Sequence, residues 1–428
     1  MTEYIVTSGL TSSGVILSGY DGLTVASGGA AVYTDLQPNT GIFVMSGGVE
    51  ANTVNAGGTE LIQSGGAAYY VSVTNGGIVV DAGTTVSTTI LAGSETVYSG
   101  GLADATNVGN GGFLYDQGID VATVVGSGGI EYVLKGAVAR GATVVFAGGT
   151  ENVASSGATS GTILSGGTET VSAGGVASGT VVGVFGTLAL SGGSAYGTIV
   201  DPGGVERILS GGIASGTAVN GESLDGGTDS GSTVQSGGTQ FVMPGGRALG
   251  DTVKDLGSQQ LVESGAIASG TVVSSGSEAF LFAGGTLSGG TVISGGNITE
   301  ASGASLPGGL TISGGTAVLS GTMAAGQAVS FAGSGGDLAL DNLAGFAAAI
   351  SGFARTDELD LGGFAFSSSA TATFAETAAK TSGTLTVVDA TQQASLTLLG
   401  NYTQDTFSLM TDNQGGSFVH VSLTPKNM

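Results

Sequence analysis

The chain has no cysteine, eight lysines and arginines, five prolines and a single histidine among its 428 residues. The absence of cysteine excludes disulfides, thiolate metal sites and thiol catalysis. Five prolines beside 84 glycines exclude a collagen triple helix, which needs glycine at every third position and abundant proline. The basic residues Lys135, Arg140, Arg207, Arg247, Lys254, Arg355, Lys380 and Lys426 are scattered, against 32 acidic residues and a net charge of −24. Binding to phosphate backbones requires clustered lysine and arginine, so neither nucleic acid nor anionic lipid is an expected partner. No stretch reaches the roughly 18 uninterrupted apolar residues of a membrane-spanning helix, so no membrane insertion is expected. Met1–Leu10 lacks the basic and apolar regions of a cleaved export signal. Aromatic residues make up only 6%, too few for a thick core of large rings. Charged residues are also few, at 9%, beside 41% hydrophobic residues, which argues against a disordered chain.

What is abundant is glycine at a fixed period. Gly112, Gly129, Gly149, Gly167, Gly186 and Gly204 belong to a series that recurs about every eighteen residues, most members preceded by a second glycine. A second series, with Gly118, Gly136, Gly157, Gly175, Gly193 and Gly212, runs half a period out of phase. The clearest units are GGTENVASSGATSGTIL from Gly148 and GGTETVSAGGVASGTVV from Gly166. Glycine serves corners with positive φ, and the Val, Ile, Thr and Ser between corners favour strands. The segments are too short for ordinary helices. The expected fold is all-β: a single-stranded parallel β-solenoid of about sixteen rungs, each with two strand segments, stacked about 4.8 Å apart into a rod of about 75–80 Å.

Alternation along the strands places Val153, Ala158 and Ile163 of one rung, and Val171, Ala177 and Val182 of the next, inside. Serine and threonine then form columns outside. Glu169 lies two residues before Val171 and by alternation shares its face. Because burying a charge is costly, a corner is expected to turn it outward. Glu60, Glu95, Glu131, Glu151, Glu206 and Glu278 share its phase. They read as solvated carboxylates on an edge or, alternatively, as a ladder bridged by cations.

The regular repeat is expected to span residues 25–333. Residues 1–24 are read as an N-terminal cap or assembly segment. Residues 334–428 are read as a C-terminal α+β or β cap with secretion or assembly as its role, because phenylalanine becomes common there. Leu343, Phe346, Ile350 and Phe353 recur at three- and four-residue steps, which predicts a helix with Asp341 or Asn342 as N-cap. Strands are predicted at Glu358–Leu361, Thr384–Asp389, Ala394–Leu399, Thr406–Met410 and Ser417–Leu423.

The two quoted units resemble the passenger repeats of AIDA-type autotransporter adhesins of Gram-negative bacteria, over about residues 40–320. The resemblance implies a β-helical, secreted or cell-surface protein used in adhesion and self-association. The chain departs from that family after the repeats, where it is too short for a membrane β-barrel. TDELDL at Thr356–Leu361, GTLTVVDATQQASLTLLGNY at Gly383–Tyr402 and DNQGGSFVHV at Asp412–Val421 are instead similar to C-terminal segments of alphaproteobacterial repeat proteins that leave by type I secretion. The functional expectation is an extracellular structural or adhesive protein whose partners are further copies of itself and surface glycans or proteins. Alternatives are a self-assembling filament or surface-layer subunit and, from another class, a polysaccharide-degrading β-helix enzyme.

Little in the sequence speaks for chemistry. His420 sits in an alternating strand with no nucleophile elbow anywhere in the chain. Asp201, Glu206 and Arg207 lie near one another, as do Asp225 and Asp229, and both groups read as surface charge, so no catalytic residue and no organic cofactor is expected. For a metal, the candidate Ca²⁺ ligands are Asp337, Asp357, Glu358 and Asp360, beside a fragment of a calcium-binding nonapeptide at Gly335–Leu338.

Overall fold

The structure is a computed structural model that describes residues 2–362, 364–389, 391–403, 405–411 and 417–423; for 291–293 and 417–423 it describes the backbone. Asp412–Gly416 of the tail motif, the terminal residues from Thr424 to Met428 and the His420 side chain lie outside it. The chain divides into two units, Met1–Thr217 and Ala218–Met428.

Each unit is a coil of parallel strands. In the first, one sheet runs from Glu3–Val6 to Val205–Ile208, a second from Thr11–Ser13 to Ile213–Ser215, and a third from Ile16–Leu17 to Ile199–Val200. Every strand pairs in parallel with its equivalent one turn later, as Glu151 does with Glu169 and Thr159 with Ala177. A turn therefore has three strands rather than the expected two. The third is short, only Val181–Val182 in its turn, and sits so close behind the glycine corner that it reads as part of it.

The chain makes about 19 turns, more than the sixteen expected. The extra turns lie where the glycine period fades. Glu3–Val6 already pairs with Gly22–Val25, so residues 1–24 form a first turn and not a separate cap. In the second unit Thr316–Leu319 pairs with Asp337–Leu340, which pairs with Glu358–Leu361, so coiling passes residue 333. Turn length is elastic: Ile78 stacks on Ser94, sixteen residues on, and Thr316 on Asp337, twenty-one on.

The corner between the second and third sheets needs a left-handed residue. Glycine fills it at Gly161, Gly179, Gly197 and Gly216, but Tyr33, Asn52, Tyr70, Ser87, Ala105 and Ala122 hold φ of 55–60° in equivalent corners. A left-handed alanine is strained by its Cβ. Ala122→Gly is expected to stabilise the first unit by about 0.5–1 kcal/mol, seen as a rise of a few degrees in melting temperature; a fall would show that the Ala122 methyl contributes packing that outweighs its strain.

In the second unit the last turns are covered by antiparallel strands. Gln393–Leu399 adds in parallel to Ala349–Ser351, and Ser382–Val388 and Thr371–Glu376 follow antiparallel. A hairpin of Asp405–Thr411 and Ser417–Leu423 covers Glu358–Leu361. Phe331, Phe346, Phe353, Phe364 and Tyr402 are buried here, and the Tyr402 hydroxyl donates to the Phe353 carbonyl at 3.0 Å. The predicted helix is absent. Asn342 does cap a turn, accepting from the Gly345 N–H, but the turn is a three-residue 3-10 helix at Leu343–Gly345, and Ile350 lies in a strand. The three- and four-residue spacing arises because the chain rounds a corner and re-enters the core, not from helical winding.

Candidate functional site

The interior of the coil holds a column of acids. Strict alternation is kept on the first sheet, so the second and fourth residues of each strand both point inward. Val171 and Val153 are buried as expected, and Glu169 is buried with them, at 0% exposure. No corner turns it out. Glu60, Glu95, Glu131, Glu151 and Glu206 are equally buried, which overturns the solvated-edge reading. Glu278 alone of that set faces outward, because it begins its strand one position earlier, and there it accepts from the Gln259 amide at 3.3 Å. Ala177 and Val182 are inside as expected, but in the turn before them the phase is shifted by one: Thr159 of the second sheet and Leu164 of the third are inside, while Ala158 is half-buried and Ile163 exposed.

Among the described residues, fifteen of the chain's 32 acids are buried. In the first unit these are Glu50, Glu60, Asp81, Glu95, Asp116, Asp120, Glu131, Glu151, Glu169 and Glu206; in the second, Asp225, Asp229, Asp251, Glu300 and Asp357. No lysine, arginine or histidine is buried among the described residues. Several acids are met by hydroxyl groups from neighbouring turns. Thr159 and Thr180 donate to the two oxygens of Glu169 at 2.7 and 3.0 Å, and Thr85 donates to Glu95 at 2.6 Å. The donor stands ten residues before the glutamate because the side chain leans back onto the second sheet of the preceding turn. That spacing was the signal available in the sequence. In the second unit the Gln240 amide lies 2.8–2.9 Å from Asp225, Asp229 and Asp251, with Ser223 and Ser232 donating to the first two.

Desolvation dominates the acidity of these groups and favours the protonated form. It pushes Asp81 up to about 7, Glu95 to about 8 and Glu300 to about 7. Glu60 is pushed well above the usual carboxylate range by burial and then by the facing Glu50, and Asp229 by burial, Asp225 and Asp251. Glu169 is raised by burial and pulled back by its two threonines. Such a column can hold protons or a cation, but its groups face away from solvent and from any external substrate.

The expected calcium ligands lie elsewhere. Asp337 and Glu358 stack on the outward face of neighbouring turns, with Asp360 two residues along the same face. Asp357 is buried and caps the corner, accepting from the Gly336 and Ala354 N–H groups at 3.1 and 2.9 Å. Among the described residues, the acids whose oxygens converge are Asp116, Asp120 and Glu131, one oxygen from each within 4.8 Å of the others. The supposed surface groups also separate: Glu206 points in and Arg207 out, and Asp225 and Asp229 are interior.

The outer faces carry the remaining candidates. Phe113, Tyr115 and Tyr132 stack on the outside of the first sheet, with ring centroids 6.2 and 5.2 Å apart. Val54, Ile78, Ile163, Ile199 and Ile213 are exposed across the three faces of the first unit. Among the described residues no helix is long and apolar enough to cross a membrane.

No protein-family model matches the chain, and no curated protein matches it. Among solved structures it is similar to the TibC-catalysed, hyper-glycosylated fragment of TibA, with 28% identity, covering 67% of this chain and 94% of that one, at a TM-score of 0.46.

Proposed function

We propose that the chain is a non-catalytic extracellular structural or adhesive protein that works through the repetitive outer faces of its β-solenoid, in cell adhesion, self-association or biofilm matrix. The observation that carries this reading is where the acids sit. With fifteen of them inside, the outer faces bear far less charge than −24 and present β-branched, hydroxyl and aromatic side chains at the spacing of the turns. Flat faces of that kind suit contact with another copy or with surface glycans, where stacked aromatic rings pack against sugar rings. The resemblance of the repeats to adhesin passengers supports the same reading. The acids considered for polysaccharide cleavage, Glu206, Asp225 and Asp229, are interior, which speaks against the enzyme alternative.

The filament alternative draws on the first turn. Tyr4, Ile5, Leu10, Ile16 and Tyr20 are 43–71% exposed there, although the position Tyr4 begins is buried in the next turns, at Leu23 and Ile42. Exposed apolar side chains beside a strand edge suit the addition of a strand from a neighbouring copy.

Beads coated with the full chain are expected to cluster, and the chain is expected to leave acidic and neutral polysaccharides intact. Beads that stay dispersed and fail to bind bacterial or host surfaces overturn the adhesive reading. Release of new reducing ends overturns the non-catalytic one. Fibres in electron micrographs would select the filament alternative over the solitary adhesin.

A further inference from the structure

We infer that Asp116, Asp120 and Glu131 form an interior site for one Ca²⁺ ion, enclosed as successive turns close over it. Asp116 and Asp120 come from the first and second sheets of one turn, and Glu131 from the first sheet of the next. One oxygen from each lies within 4.8 Å of the other two. Two oxygens on the same Ca²⁺, each at about 2.3–2.6 Å, stand at most about 5 Å apart, so one ion reaches all three.

A group of acids alone does not make a site; the hydrogen bonding here does. All three residues are fully buried. Apart from one another's carboxyls, neither oxygen of Asp116 or of Glu131 meets an N–H or O–H donor, and Asp120 has one oxygen in the same state. Its other oxygen accepts from Thr123 at 2.6 Å. Three turns later the same coil supplies two threonine hydroxyls to Glu169. The fold therefore satisfies a buried carboxyl with hydroxyls at one place and leaves converging oxygens without such donors at another, with no basic side chain inside, among the described residues, to balance them. Carboxylate oxygens select hard cations. Ca²⁺ suits an irregular all-protein cage better than Mg²⁺, which keeps near-ideal octahedral geometry and several waters. Because the site has no exposed atom, the ion enters during folding and leaves slowly.

The test uses the full chain, unfolded in guanidinium chloride with EDTA and refolded at about pH 8 in millimolar CaCl₂, in MgCl₂ or in EDTA, then passed over chelating resin. The chain refolded with CaCl₂ should retain about one calcium more than the Asp116→Asn/Glu131→Gln variant and should melt about 5–10 °C above the chain refolded in EDTA. The variant, with amide isosteres, should lose both the retained ion and the temperature difference, while Glu169→Gln keeps both. If the double variant does not fold, Asp120→Asn, which preserves the acceptor for Thr123, gives the same reading. Wild-type protein that retains no calcium, or variants that retain as much as wild type, would overturn the site and leave the three acids sharing protons only.

Discussion

In EDTA, the protein is expected to melt more than 10 °C lower at pH 8 than at pH 4.5. This is the reverse of the usual behaviour of acidic proteins, whose carboxylates are paired or solvated in the native state. Asp81 shows why. It is buried between Ile62 and Val97 of the neighbouring turns, its near partner is the Gly83 N–H at 2.7 Å, and no basic group faces it. Its folded-state pKa is raised from 3.8 to about 7. Glu300 moves the same way, from 4.5 to about 7, against a single backbone donor from Gly321. A raised carboxyl pKa means that the folded state holds its proton where the unfolded chain has released it. The stabilisation is complete below about pH 4 and is lost as pH rises to about 7. Each pKa unit is worth about 1.4 kcal/mol, so Asp81 alone contributes on the order of 4 kcal/mol over this range. For domains of this size about 1 kcal/mol moves the melting temperature by about 2–4 °C. Glu50, Glu60, Asp229 and Asp251 are shifted upward as well and add to the slope. Asp81→Asn keeps an acceptor for the Gly83 N–H and removes the titration, so it should flatten the curve and raise stability at pH 8. A melting temperature that is constant or rises from pH 4.5 to pH 8 would mean that the interior acids are ionised in the folded state.

How much of this was legible in the sequence depended on which force each residue reports. Strand boundaries were legible because glycine corners and alternation are local. Glu358–Leu361 and Ser417–Leu423 lie where alternation put them. The third strand of each turn was not, because two residues such as Val181 and Val182 carry no period of their own. The facing of Glu169 is legible in the alternation but conflicts with its charge. Alternation put it inside with Val171, and the cost of a buried charge argued for moving it out. The structure resolves that conflict by chemistry and not by geometry: the carboxyl stays inside, accepts from Thr159 and Thr180, and is held toward its neutral form. Thr159 supplies that donor from an inward position, which apolarity alone does not reveal because the neighbouring Ala158 is the more apolar of the two. The convergence of Asp116, Asp120 and Glu131 was hidden for a different reason. It depends on which turn a glutamate leans toward, and that is fixed only once neighbouring turns are stacked.

The glycine period itself has two causes, and a pair of substitutions separates them. In Gly148–Gly149 the first glycine has φ of 79°, in the left-handed region, and the second does not. A Cβ on Gly148 would meet the Ser127 hydroxyl at 2.9 Å, a side-chain atom able to rotate away. A Cβ on Gly149 would lie 2.6 Å from the Val125 carbonyl oxygen and 3.0 Å from that of Gly126, both backbone atoms of the turn below. Those atoms cannot retreat without opening the ladder, in which Thr150 donates to Gly129 at 3.2 Å. Gly148→Ala should therefore cost about 1–2 kcal/mol, the strain of a left-handed alanine. Gly149→Ala should cost about 3 kcal/mol or more, because the methyl group is forced into a packed layer with no freedom to repack. In melting temperature, the second variant should lie at least several degrees below the first. A larger effect at Gly148 would mean that backbone conformation alone sets the repeat. The expected order means that close approach between turns sets it, and that any longer side chain at the second glycine pushes two turns apart and weakens both sheets that meet there.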